Sequence, residues 1–230
     1  MFLSSMGVLV LVRHGQSQWN LENRFAGWSD DPPLLTDRGR SDVRLCAHSL
    51  KDFSFDIAFT SRLKRGSETL SILLRELHQI GIPVVEDSAL NERHYGDLQG
   101  LNRAEMARKC GEEQMRLWRR SFTARPPNGE SIEDCVKRVL PFFRQYVLPH
   151  VVAGNSVLIA AHGNSMRPIV KELEGIEDGE AVAQMEIGLC TPYVYWFEGQ
   201  AMTKKEVRDV PGVVTKGGSI TETTVPEGRV

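Results

Sequence analysis

Two apolar pentapeptides constrain this chain more than any other feature: Val8-Leu9-Val10-Leu11-Val12 and Val157-Leu158-Ile159-Ala160-Ala161. A run that is apolar at every position suits a strand covered on both faces, as in a parallel sheet with helices on either side. The first run ends in Arg13-His14-Gly15 and the second in His162-Gly163-Asn164. Open α/β sheets bind ligands beyond the carboxyl ends of their strands. Two histidines are therefore expected at one rim of one sheet. Each is followed by a glycine that lets backbone approach a ligand closely.

The sequence between these runs alternates helix and strand signals. Thr36 to Leu50 reads as a helix capped by Thr36 or Asp37, and Ile57 to Thr60 as a strand. Leu63, Leu70, Leu73, Leu74 and Leu77 recur at helical spacing, with Gly81 as a stop, and Ile82 to Val85 reads as a short strand. Leu101–Gly111 and Glu112–Phe122 look helical, and Arg125-Pro126-Pro127-Asn128-Gly129 is a breaker. Ser131 with Asp134 resembles a capping box that opens a further helix. Ser165–Leu173 reads as helix and Tyr193–Phe197 as a last strand. This alternation predicts an α/β fold with a mostly parallel central sheet and helices on both faces. No shift in composition marks a second domain, so residues 1–202 are read as one catalytic domain. Residues 203–230 are polar, with Gly217-Gly218 and a threonine-rich stretch. They read as a flexible tail and a candidate lid, in which Lys204, Lys205 and Lys216 would help close the site.

Composition excludes several classes. A net charge of −2 gives no whole-molecule attraction to nucleic acid or to an anionic membrane. Met1 to Val12 lacks a basic leader region and is too short to span a bilayer, so a buried strand is the better reading. Cys46, Cys110, Cys135 and Cys190 are scattered and form no Cys-x-x-Cys pair. They argue against a zinc site or a disulfide framework and for a reducing, cytoplasmic compartment.

Histidines beside arginines suit phosphoryl transfer. A neutral imidazole is a competent nucleophile, and fixed cations hold the charge on the transferring oxygens. Arginine donates bidentately to phosphate. Arg13 adjoins His14, and Arg65 lies at a helix entry after the second strand, where free backbone N–H groups also favour anions. A metal centre is expected to be absent, because no third and fourth ligands occur at recognisable spacing. The chain has no Gly-x-x-x-x-Gly-Lys-Ser/Thr or Gly-x-Gly-x-x-Gly motif. Gly163-x-Ser165 begins like a nucleophile elbow, but Arg167 stands where its final glycine would be.

Leu11-Val12-Arg13-His14-Gly15 resembles the defining motif of the histidine phosphatase (phosphoglycerate mutase-like) superfamily. Ser17-Gln18-Trp19-Asn20 and Glu22-Asn23-Arg24-Phe25-Ala26-Gly27-Trp28 are similar to the cofactor-dependent phosphoglycerate mutases. So are Leu90-Asn91-Glu92-Arg93-His94-Tyr95-Gly96, Trp118-Arg119-Arg120 and Ala160-Ala161-His162-Gly163-Asn164-Ser165. The resemblance spans roughly Val8 to Phe197 and implies a three-layer mutase-like fold. It implies that His14 is phosphorylated, that His162 stabilises the transferring phosphoryl, and that Arg13 and Arg65 clamp it. Glu92 would be the general acid/base. Asn20 and Asn164 would line the pocket, and Ala26-Gly27 would contact substrate through backbone. Tyr95, Arg103, Arg119 and Arg120 would hold the far phosphate and carboxylate. Ser17, Arg93 and Gly163 join the substrate-binding set. The implied primer is 2,3-bisphosphoglycerate, with no metal, and the implied substrates are 2- and 3-phosphoglycerate. A homo-oligomer is compatible with the resemblance.

Gln16 stands where such mutases often have glutamate, and Arg103 where many have lysine. The short Arg125–Ser131 segment matches a shorter subgroup, while Asp31-Pro32-Pro33-Leu34 looks slightly longer than usual. Three functions stay open at this point. They are the mutase (with bisphosphoglycerate synthesis as a minor variant), a phosphatase on the same scaffold, and a binding module without catalysis. The intact His14, His162, Arg13, Arg65 and Glu92 weigh against the last.

Overall fold

The computed structural model describes residues 6–29 and 34–213. The Asp31-Pro32-Pro33 reading and the tail from residue 214, with Lys216, lie outside them.

A six-stranded sheet forms the centre. Its strands are β1 (Met6–Arg13), β2 (Ile57–Thr60), β3 (Val84–Glu86), β4 (Ser156–Ala161), β5 (Pro192–Glu198) and β6 (Ala201–Val207). Their order is β3-β2-β4-β1-β5-β6. The β1–β4, β2–β4 and β2–β3 pairings are parallel, while β5 and β6 add an antiparallel margin. The helices are α1 (Gln18–Leu21), α2 (Asp37–His48), α3 (Lys64–Glu76), α4 (Arg103–Cys110), α5 (Glu112–Arg120), α6 (Ile132–Phe142), α7 (Leu148–Val152), α8 (Gly163–Glu174) and α9 (Gly179–Gln184).

The apolar run of β1 divides by its period of two. Val8, Val10 and Val12 pack with Val43, Cys46 and Ala47 of α2 and Leu70, Leu73 and Leu74 of α3. Leu9 and Leu11 pack on the opposite face with Val139 and Phe142 of α6 and Met166, Ile169 and Val170 of α8. Both faces are covered, which is why no position of the run is polar.

Thr36 caps α2, with its side chain accepting from the Gly39 N–H. The Ser131–Asp134 capping box opens α6. Several expected boundaries shift by one or two residues, and two larger shifts have a visible cause. Helix α3 ends at Glu76, before Gly81, because His78 turns the chain at φ 57°. The Gln79 side chain anchors that turn to Phe53 O (2.8 Å) and Phe55 N (2.7 Å). Residues 203–207, expected at the start of a flexible tail, instead belong to strand β6. That strand is an exposed edge, and its polar side chains give no apolar signal in the sequence. The Lys204 ammonium sits 4.2 Å from the Trp196 ring centroid, and Lys205 pairs with Glu174 at 2.7 Å. These two lysines serve the sheet margin, contrary to the lid role expected of them.

Candidate active site

Strands β1 and β4 are parallel neighbours with Arg13 opposite Ala161, so the residues that follow them share one rim. The His14 N–H donates to Ala161 O at 2.9 Å. The His14 and His162 ring centroids lie 5.0 Å apart. His14 Nδ1 is 2.7 Å from Gly15 O. A carbonyl only accepts, so Nδ1 carries the proton and Nε2 keeps its lone pair. Burial, reinforced by Arg65 and Arg13, lowers the His14 pKa well below the ordinary histidine value. His14 is therefore neutral at neutral pH and has the form that attacks phosphorus.

The glycine after His14 has a different role from the one expected. A Cβ on Gly15 would come within 2.6 Å of Gly39 O, so Gly15 lets the post-β1 loop pack on α2. Gln16 also faces that way. Its Oε1 accepts from Thr36 Oγ1 at 2.9 Å, and it does not line the cavity.

Arg13 donates to Ile187 O at 2.7 Å, while its buried Nε has no partner among the described residues. Arg65 is fully buried, and its Nη2 donates to Gly27 O at 2.6 Å. Gly27 has φ 52°, and a Cβ there would meet Gln99 Oε1 at 2.0 Å. That oxygen accepts from the Trp28 N–H at 2.7 Å, so the turn that holds Arg65 needs glycine.

Glu92 also lines the cavity. Its Oε1 accepts from the Arg93 N–H (2.7 Å) and from the Asn164 N–H (3.2 Å) in the first turn of α8. Burial pushes this carboxyl up, but the Arg93 N–H, Arg13, Arg65 and Asn164 outweigh it and hold the pKa below the ordinary value. Glu92 is thus a carboxylate in the free protein. Its main-chain carbonyl accepts from Trp28 Nε1 (2.5 Å) and Arg138 Nη2 (3.0 Å). Arg138 is itself paired with Glu130 at 2.9 Å.

The facing wall rests on a small cluster of Phe25, Tyr95, Leu98 and Met115. Asn102 caps α4, which opens with Arg103. The Arg103 guanidinium lies 5.3 Å from the Phe25 ring centroid. Burial, with Arg119 and Arg13, pushes Arg103 down to about 10, so it remains cationic. Arg119 and Arg120 end α5, and Arg120 pairs with Glu186.

These elements enclose a cavity of about 810 Å³ walled by six arginines and two carboxylates. It brings together Arg13, His14, Arg65 and Glu92 with Asn20, Ala26 and Gly27. Tyr95, Arg103, Arg119, Arg120, Gly163 and Asn164 complete the expected wall. Three expected residues are not on it. Ser17 caps α1 in a reciprocal bond with Asn20. Arg93 is buried, donates to Trp118 O at 2.8 Å and stacks on Tyr95. His162 is fully buried beside His14, with Nε2 2.7 Å from Ser61 Oγ. The sequence reading missed Arg167, Glu186 and Tyr193, which do line the cavity. An arginine one turn into a helix, just before the apolar Pro168-Ile169-Val170, was the available signal for Arg167. The stretch before β5 carries no motif.

Among the described residues, no group of three or more His, Cys, Asp or Glu could hold a metal ion. None of their helices is long and apolar enough to cross a membrane.

Residues 9–210 match the family model described as histidine phosphatase superfamily (branch 1). The 2,3-bisphosphoglycerate-dependent phosphoglycerate mutase 2 of Gloeobacter violaceus is 50% identical over 196 residues, covering 85% of this chain and 87% of its own. The 2,3-bisphosphoglycerate-dependent phosphoglycerate mutase of Nitrobacter hamburgensis is also 50% identical over 196 residues, covering 84% and 93%. A mycobacterial glucosyl-3-phosphoglycerate phosphatase shares the fold, with a TM-score of 0.72 at 24% identity over 88% of this chain and 97% of that one.

Proposed function

The chain belongs to the histidine phosphatase superfamily, and from that premise we infer that it is a phosphoglycerate mutase interconverting 2- and 3-phosphoglycerate through a phosphohistidine on His14. One observation carries the reading. A neutral histidine with a free Nε2 faces a wall that holds Arg103, Arg119 and Arg120, so a substrate with two anionic ends can be gripped at both.

His14 Nε2 attacks the substrate phosphorus, and the phosphorus–oxygen bond breaks as Arg13 and Arg65 hold the equatorial oxygens. Glu92 handles the proton of the glycerate hydroxyl that loses or receives the phosphoryl. A bound phosphate offsets Arg13 and Arg65, two of the charges that hold this carboxyl down. Its proton affinity then rises, so one group can both take and return the proton. Arg103, Arg119, Arg120 and Tyr95 keep the glycerate in place, so the phosphoryl returns to a hydroxyl and not to water.

The wall also suits a bisphosphate primer, with six arginines against two carboxylates and buried Nε atoms of Arg13 and Arg103 that lack partners among the described residues. Arg13 and Arg65 would hold one phosphate of 2,3-bisphosphoglycerate, and Arg103, Arg119 and Arg120 the other. When bound, it supplies the phosphoryl group that primes His14. A cytoplasmic setting fits the four free cysteines.

The test is a coupled assay of 3-phosphoglycerate with and without added 2,3-bisphosphoglycerate, in excess chelator. Primer-dependent, chelator-resistant formation of 2-phosphoglycerate is expected. Phosphate release from small phosphoesters without isomerisation would instead place the chain with the phosphatase that shares its fold.

A further inference from the structure

We propose that Ser61 is a positioning residue that fixes the tautomer of His162, so that His162 Nδ1–H serves as a hydrogen-bond donor to the phosphoryl group on His14. The inference rests on the phosphohistidine reading above and assigns a role to a residue outside the cavity wall.

Ser61 follows β2 and is fully buried, as is His162. Ser61 Oγ has two neighbours. It accepts from the Leu63 N–H at 3.3 Å and lies 2.7 Å from His162 Nε2. Suppose Nε2 carried the proton. Ser61 Oγ would then accept twice, and its own hydroxyl proton would have no acceptor among the described residues. Buried hydroxyls rarely forgo a partner, because doing so costs about 1–3 kcal/mol. With the proton on Nδ1, Ser61 O–H donates to the Nε2 lone pair, and both groups are satisfied.

That choice leaves one atom over. His162 Nδ1 is buried with no partner among the described residues, in a ring whose centroid is 5.0 Å from that of His14. A buried N–H this close to the nucleophile lacks only an acceptor, which a phosphoryl oxygen on His14 supplies. The two histidines then share one tautomer and use it in opposite senses. His14 turns its proton onto Gly15 O and offers the Nε2 lone pair, while His162 gives its Nε2 lone pair to Ser61 and offers the proton. Gly66 keeps the link open, because a Cβ there would stand 2.6 Å from Ser61 Oγ and 3.4 Å from His162 Nε2.

The experiment uses full-length protein with 15N-labelled histidine, with tautomers read from two-bond 1H–15N couplings, alongside rapid-quench phosphorylation of His14 by 2,3-bisphosphoglycerate. In the unmodified protein, His162 Nε2 should be pyridine-type and Nδ1 pyrrole-type. Ser61→Ala should mix the tautomers and slow phosphorylation by roughly 10- to 100-fold, below the ~10⁴-fold cost of a wholly wrong tautomer in a serine protease triad. KM for phosphoglycerate should change little. Ser61→Thr, which retains the hydroxyl, should restore both readouts. Gly66→Ala displaces the hydroxyl from outside without removing it, and should reproduce the Ser61→Ala defect. A proton on His162 Nε2 in the unmodified protein, or a Ser61→Ala variant with unchanged tautomer or rate, overturns the proposal. Absence of any phosphohistidine in the unmodified protein would instead overturn the mutase reading, and the free-protein spectrum would still decide the tautomer.

Discussion

The sheet rim that carries His14 and the α4–α5 segment opposite it close one cavity from two sides, on very different foundations. The rim stands on two clusters of 19 buried residues each, one on either face of the sheet. The facing wall stands on four: Phe25, Tyr95, Leu98 and Met115. Helix α4 has no buried residue and α5 has only Met115. Local opening free energy follows buried apolar contact, so the rim should hold its geometry while the wall adjusts. The chemistry divides in the same way. The nucleophile and its clamp sit on the rigid side. The arginines proposed to hold glycerate sit on the adjustable side.

The largest effect expected is at the rim. His14→Ala should lower mutase turnover by at least about 10⁴-fold, as loss of a covalent nucleophile does elsewhere. It should leave the melting temperature nearly unchanged and abolish acid-labile labelling by a radioactive phosphoryl donor. Substantial turnover in this variant would remove the rim from the mechanism. Arg119→Ala should cut phosphoryl transfer to glycerate by about 10- to 100-fold, the scale of one charge-assisted contact. Phosphorylation of His14 should fall less than tenfold, and the fraction lost to hydrolysis should rise. Equal losses at both steps would mean that the two sides act as one unit.

A third prediction concerns pH. Burial, then Arg65, lowers both His14 and His162 well below the unfolded value of 6.5. Below that value the unfolded chain binds protons that the folded chain refuses. Stability should therefore fall as pH drops from 6.5 toward the folded values, by at most about 1.4 kcal/mol per pH unit for each histidine. Urea midpoints between pH 7.5 and 5.5 measure this slope. His14→Ala should flatten it, whereas Arg119→Ala on the facing wall should leave it as it is. An unchanged slope in His14→Ala would show that the rim does not exclude protons as its burial requires.

The rim was also the more legible side in sequence. Continuous apolar runs ending in His-Gly announce buried parallel strands, because only sheet positions covered on both faces exclude polar residues at every step. What sequence could not reach were roles created by distant pairing. Ser61 looks like any serine after a strand until His162 stands 2.7 Å away. Arg167 looks like a surface charge until Asn164 and Met185 O hold it at the cavity. His162 is fully buried beside His14 and does not itself line the cavity, since a strand-end position fixes the rim and not the depth. Strand β6 escaped for the opposite reason: an exposed edge carries two lysines, a threonine and a glutamate, which read as tail.

The smallest effect expected tests the link between the two sides. Glu186 belongs to the stretch before β5, next to Ile187, whose carbonyl accepts from Arg13 on the rim. Its carboxylate pairs with Arg120 on the facing wall. An anionic substrate group that uses Arg120 must displace this carboxylate. Glu186 is largely exposed, with 76% of its side chain accessible, so solvent screens the pair and the competition is weak. Glu186→Gln should therefore lower KM for phosphoglycerate by about two- to fivefold and leave kcat unchanged, the pattern of a change in uniform binding. A rise in KM would carry the opposite meaning. Glu186 would then be holding Arg120 ready for substrate, and the facing wall would be preorganised from the rim rather than adjusted around its ligand.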